Sequence, residues 1–200
     1  MSQSIHTILN ESKCALFCFG GMALKFGGIL PFEFLTYLSS EYGKIYDLYF
    51  IIDTQQCWYH KGIEGITHDI NTTTIYLNSI INERKYDKVL FMGVSAGGYA
   101  AILFGSLCSI HTVISFIPQT ILTNPEDKTY SDLNQVINNT TKYILNGDLL
   151  ISDENNLHHI SHCTRLEAHT NVTVISHTTC DLKQLRDEGF IKTLIDDVFA

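Results

Sequence analysis

The chain has 200 residues, of which 45% are hydrophobic and 17% charged. That is the size of one domain with room for a full core and no need of disulfide staples, and the composition excludes a disordered, collagen-like or coiled-coil chain. A net charge of -8, with only 13 scattered Lys and Arg, argues against a nucleic-acid binder, which carries a basic patch.

No apolar run approaches the ~20 residues of a membrane span. The opening MSQSIHTILN lacks the basic and long apolar regions of a signal peptide. A cytoplasmic protein is expected, with neither nucleic acid nor membrane as partner and with an oligomeric state the sequence does not specify. Cys14, Cys18, Cys57, Cys108, Cys163 and Cys180 are irregularly spaced and read as reduced, mostly buried thiols. Cys14 and Cys18 are four apart, so they are not a C-x-x-C pair.

Six short runs rich in β-branched and aromatic residues read as strands: 14–19 (CALFCF), 45–52 (IYDLYFII), 88–92 (KVLFM), 112–117 (TVISFI), 142–145 (KYIL) and 172–176 (VTVIS). Several are apolar on both faces, as strands covered by helices on both sides are. Helices are predicted between them. Pro31 opens the first at a first-turn position, and Gly43 stops it. The second, 67–81, places Ile70, Thr74, Leu77 and Ile81 on one face. Small, apolar 96–107 follows, then a weaker segment at 131–139, then 155–167 and 181–198. The alternation predicts one domain over residues 1–200: an α/β three-layer sandwich, with a mainly parallel sheet of about six strands and helices on both faces. Chemistry in such a fold collects at the carboxyl ends of the strands.

Gly93-Val94-Ser95-Ala96-Gly97 stands at such an end, directly after KVLFM and opening the helix AGGYAAILFGSL. This is a G-x-S-x-G nucleophile elbow between the strand and the helix it requires. The turn is strained, and glycines two residues to either side of Ser95 make room for it. An acyl-transfer site needs two backbone donors for its oxyanion. Ala96 supplies one, and the Phe19-Gly20-Gly21-Met22 turn after the first strand supplies the other, from Gly21 or Met22.

The triad order on this fold is serine, acid, histidine. Ser95, Asp153 and His177 obey it, with His177 directly after the last predicted strand and Asp148 the alternate acid. His158 and His159 are the alternate bases. With His162 they form the cluster LHHISHC, but without the carboxylate of an H-E-x-x-H metal motif. Asp53, ending the second strand, reads better as a turn cap than as the acid. The loop that follows, Cys57-Trp58-Tyr59-His60-Lys61-Gly62, reads equally as a substrate platform or as a loop anchored by its buried Trp. Pro118-Gln119-Thr120 ends another strand beside the elbow, where it can line a pocket. No G-x-G-x-x-G, Walker A or metal set is present, so neither cofactor nor metal is expected.

The elbow with Phe116-Ile117-Pro118-Gln119-Thr120 resembles the α/β-hydrolase superfamily. More narrowly, the chain is similar to small hydrolase-like proteins found beside glycosyltransferase or polysaccharide genes. Phe19-Gly20-Gly21, Trp58 to Ile63, Ser95 to Ala101, Pro118-Gln119-Thr120 and Leu185-Arg186-Asp187-Glu188-Gly189 carry that likeness nearly end to end. Two steps depart from it. Thr178-Thr179-Cys180-Asp181-Leu182 stands where that group often has a histidine, and Asn155-Asn156-Leu157-His158-His159 stands where it often has Asp-x-x-His. The resemblance implies a serine hydrolase or acyltransferase without a lid. Its substrate would be an ester or acyl group, on a small molecule or a glycan. Ser95 would be the nucleophile, His177 the base and Asp153 the orienting acid, with Gly21 and Ala96 at the oxyanion. Trp58, Tyr59, His60 and Gln119 would contact substrate. The alternative is a hydrolase-fold binding module, without catalysis, in a glycan-synthesis assembly.

Overall fold

All six predicted strands form, and a seventh joins them. The computed structural model describes residues 4–22, 34–151 and 157–200. Its strands are β1 (Ile5–Ile8), β2 (Cys14–Phe19), β3 (Asp47–Ile51), β4 (Lys88–Val94), β5 (Thr112–Phe116), β6 (Lys142–Asp148) and β7 (Val172–His177). They make one sheet in the order β1-β3-β2-β4-β5-β6-β7. Every neighbouring pair is parallel except β1 with β3. The unpredicted β1 is a four-residue edge strand, IHTI, with no fully buried position. It has too little apolar alternation to stand out.

The helices are α1 (Leu35–Tyr42), α2 (Ile70–Arg84), α3 (Ala96–Leu107), α4 (His159–Thr164), α5 (Leu182–Asp187) and α6 (Phe190–Phe199). Helix α3 has the predicted bounds. Helix α2 starts later than predicted because Asp69 caps it, its carboxylate accepting from Thr72 N at 2.6 Å. Thr67 serves the preceding loop instead, accepting from Ile63 N. The predicted helix 181–198 is two helices, broken at Gly189 with φ 77°. The segment 131–139 gives only one short 3-10 turn, Leu133–Gln135, preceded by another at Lys128–Tyr130, each opened by an aspartate cap. Pro31, and residues 155 and 156 of the fifth predicted helix, lie outside the described residues.

Two cores sandwich the sheet. Phe17, Phe19 and Phe91 point to one face and pack with Ile70 and Leu77 of α2, Phe104 of α3 and Cys163 of α4. Leu16, Phe50 and Met92 point to the other and pack with Leu38 of α1, Leu185 of α5 and Ile191 of α6. The central strand β4 is thereby covered on both sides, and its carboxyl end is held rigidly. All six cysteines are free thiols. Burial pushes the Cys163 and Cys180 thiols up to about 12. Among the described residues no helix is long and apolar enough to cross a membrane.

Candidate active site

Ser95 bridges β4 and α3 with φ 53° and ψ −119°. A non-glycine residue there is strained by roughly 1–3 kcal/mol and persists only where its surroundings over-determine it. They do so here. Ser95 N donates to Phe116 O at 2.9 Å. A Cβ on Gly97 would meet the Phe19 carbonyl oxygen, with the Phe19 carbonyl carbon 2.6 Å away, and a Cβ on Gly93 would lie 2.9 Å from Gly98 N. Both glycines flanking Ser95 are therefore required by close backbone approach. No side chain caps α3, so its first N–H groups, Ala96 included, are open to a developing negative charge.

Strands β2 and β4 are neighbours, which brings the turn after β2 to the same edge. Gly20 N donates to Ile51 O at 2.8 Å, and Tyr59 Oη donates to Gly20 O at 2.9 Å. Gln56 Nε2 donates to Met22 O at 2.8 Å. Gly21 stands half-buried between these two anchored carbonyls.

The loop after β3 is built around Asp53, the turn cap anticipated from its position. Its carboxylate accepts from Gln55 N (3.1 Å), Cys57 N (2.7 Å) and Tyr59 N (2.9 Å). Gln56, Trp58 and Tyr59 all have positive φ, at 52°, 54° and 62°. The result presents Trp58, whose Nε1 donates to Gln119 Oε1 at 2.8 Å. That bond spans from the β3 loop to the β5 loop, across the ends of β2 and β4.

Two expected substrate contacts are corrected. Tyr59 is fully buried and its hydroxyl is committed to the Gly20 and Ile51 carbonyls; it supports the turn after β2 from beneath. His60 is only 5% exposed. Its Nδ1 accepts from Asp127 N at 2.9 Å, so Nε2 carries the proton and donates to Tyr99 Oη at 2.8 Å. Burial holds its pKa below the usual imidazole value, against the raising effect of Asp127, Asp53 and Glu126. It ties the Trp58 loop to α3.

Val94, Phe116, Asn146 and Ile175 form one row across β4, β5, β6 and β7. His177 is thus three strand spacings from the elbow, each ~4.8 Å. Its ring is engaged on β6 instead. Its Nε2 lies 3.0 Å from Asn146 Oδ1, and its ring stands edge-on to Phe190. Asn146 Nδ2 donates to Ser115 O, so Oδ1 is the acceptor and the His177 proton sits on Nε2. Burial lowers its pKa, although Asp148 opposes this. The sequence signal missed here was Asn146 itself, a polar residue within the apolar run YILNG. Asp153 lies outside the described residues.

Asp148 is buried, and its carboxylate accepts from Leu150 N, Ile151 N and Cys180 N. Burial works to raise its pKa, but those three bonds and the nearby His159 bring it below the usual carboxylate range. His158 is the exposed residue preceding α4. His159 borders a cavity of about 410 Å³, which Asp148, Cys180 and Ile117 also line. His162 is fully buried; it accepts from Thr120 N and fixes the Pro118-Gln119-Thr120 turn. Among the described residues no three His, Cys, Asp or Glu are grouped to hold a metal.

The sheet order, the strained turn between β4 and α3, and the covered sheet define an α/β-hydrolase-like fold. The chain belongs to Uncharacterised protein family (UPF0227), whose model matches residues 48–182. No curated protein matches it by sequence. The capsule O-acetyltransferase of Neisseria meningitidis serogroup A superposes with a TM-score of 0.67 at 15% identity, covering 98% of this chain and 92% of that one. Esterase 2 of Thermogutta terrifontis, solved phosphoramylated by tabun, gives 0.57 at 12% identity, covering 86% and 76%. MenH from S. aureus gives 0.56 at 9% identity, covering 98% and 97%. At these identities the likeness is one of fold.

Proposed function

We propose that this chain is an acyl-transfer enzyme, a serine hydrolase or acyltransferase, acting on an ester or acyl group carried by a glycan. The observation that carries the reading is the strained Ser95, held at the mouth of an uncapped helix by two glycines that no other residue can replace without displacing backbone. Ser95 Oγ attacks the carbonyl. Ala96 N–H and Gly21 N–H receive the oxyanion, and a histidine of the same edge takes the proton. Collapse expels the alcohol and leaves an acyl-serine, which water or an acceptor hydroxyl then cleaves. The glycan part rests on the capsule O-acetyltransferase, the structural neighbour with the 0.67 TM-score, and on the Trp58–Gln119 bridge, an aromatic face of the kind that packs on sugar rings.

A second reading is favoured by one observation. Ser95 Oγ makes no hydrogen bond to a described histidine. That suits a binding module, although catalytic hydrogen bonds are often long without substrate. Mixing the protein with p-nitrophenyl acetate separates the two. The enzyme reading expects a burst of nitrophenol and an acetyl group on the peptide containing Ser95. The binding-module reading expects neither.

A further inference from the structure

We infer that His159, from the helix after β6, is the base that serves Ser95, and that the cavity it borders holds the alcohol half of the substrate. This rests on the reading of Ser95 as nucleophile.

Four observations converge. His159 Nδ1 is buried without a hydrogen-bond partner. A buried polar nitrogen left unmade is costly and calls for an explanation. Second, His159 borders the 410 Å³ cavity together with Ile117, Asp148, Thr179, Cys180 and Asp181, residues from the carboxyl ends of β5, β6 and β7. That cavity adjoins the elbow, because Ile117 follows Phe116, whose carbonyl accepts from Ser95 N. Third, Ile117 has φ 42°. For a β-branched residue this is a genuine outlier, and such strain gathers where a site is being shaped. Fourth, the histidine at the end of β7 is already occupied, its Nε2 proton given to Asn146. His159 keeps an uncommitted nitrogen beside the Asp148 carboxylate. Ser95, Asp148 and His159 also preserve the chain order serine, acid, histidine.

The chemistry follows from the placement. The Ser95 Oγ–H proton passes to the His159 ring as the Oγ–carbonyl bond forms. The same proton goes to the leaving oxygen as its bond to the acyl carbon breaks. The incoming hydroxyl, from water or an acceptor, then gives its proton to His159 while attacking the acyl-serine, and Ser95 recovers a proton as it leaves. Leaving and entering oxygens must both lie against this ring, so the alcohol half belongs in the cavity beside it. Asp148 and Asp181 line that cavity and disfavour an anionic group there. The alcohol is therefore a hydroxyl-bearing group without negative charge.

The test is the rate at which a fluorophosphonate labels Ser95, followed by intact mass, in the wild type, His159→Ala, His159→Gln and His177→Ala. Near-ultraviolet circular dichroism checks that each is folded, and His159→Gln stands in should the alanine variant fail to fold. Both His159 variants are expected to label at least 100-fold more slowly, and His177→Ala within tenfold of wild type. Labelling of the folded His159 variants within threefold of wild type overturns the inference and leaves the Ser95 reading intact, as does His177→Ala being the severe variant. A folded wild type that never labels overturns both.

Discussion

Replacing Gly97 with alanine isolates the contact on which the elbow geometry depends. The new Cβ would stand 2.6 Å from the Phe19 carbonyl carbon and 2.8 Å from the Gly20 carbonyl carbon, with the Phe19 oxygen nearer still. Ordinary contact begins near 3.4 Å, so the end of β2 and the first turn of α3 must part by about 0.8 Å or more. All these atoms are backbone, and no side-chain rotation relieves them. Overpacking of this kind costs about 3 kcal/mol. For a chain of this length that lowers Tm by about 6–12 °C. The same displacement separates Gly21 from Ala96, and an error near 1 Å in a catalytic constellation costs about 100-fold. Thermal melting and the fluorophosphonate labelling rate read the two consequences. Gly65→Ala is the comparison, because a Cβ there has open space and meets only the strain of φ +80°, worth about 1 kcal/mol. A Gly97→Ala protein that melts within 2 °C of wild type and labels at the wild-type rate would refute the reasoning.

Asp53→Ala removes the acceptor of three loop N–H groups, and at roughly 1–3 kcal/mol for a buried donor left unpaired it should cost about 3 kcal/mol by urea denaturation. It should also quench the native environment of Trp58, the single tryptophan, and an unchanged tryptophan emission spectrum would contradict the account of that loop. Acid should destabilise the protein through His60. Burial sets its folded pKa below the unfolded value near 6.5, so the unfolded chain binds more protons between the two values. Stability is then full above about pH 6.5 and falls as the pH drops from there toward the folded pKa. The urea midpoint should fall between pH 7 and pH 5, and less so in His60→Gln; equal falls in both would count against the neutral, Nε2-protonated His60.

The sequence made the architecture legible because the buried parallel strands are nearly continuous apolar runs, and the elbow legible because its glycines answer a local steric demand. Helix α3 is found to the residue since a strand-ending G-x-S-x-G sets its start. The edge strand β1 was not legible, as four residues of which none is buried carry no pattern. Gly189 breaks the last helix through a left-handed φ that the periodicity of 181–198 hides. The site histidines were the least legible. Chain order singles out His177 but is blind to Asn146, which meets it across β6 and β7 through sheet register alone. His60 and Tyr59 look like a platform in the linear chain. They turn inward because Asp53 gathers three N–H groups and leaves only Trp58 facing the neighbouring loop.

The central claim is that Ser95 is an activated nucleophile. The most direct measurement is fluorophosphonate labelling of the wild type and of Ser95→Ala, with the modified peptide identified by mass spectrometry and melting temperatures recorded for both. The account predicts one label per wild-type chain, on the peptide containing Ser95, and none on Ser95→Ala at a similar melting temperature. A well-folded wild-type protein that takes up no label, or a Ser95→Ala protein that labels as the wild type does, would contradict it.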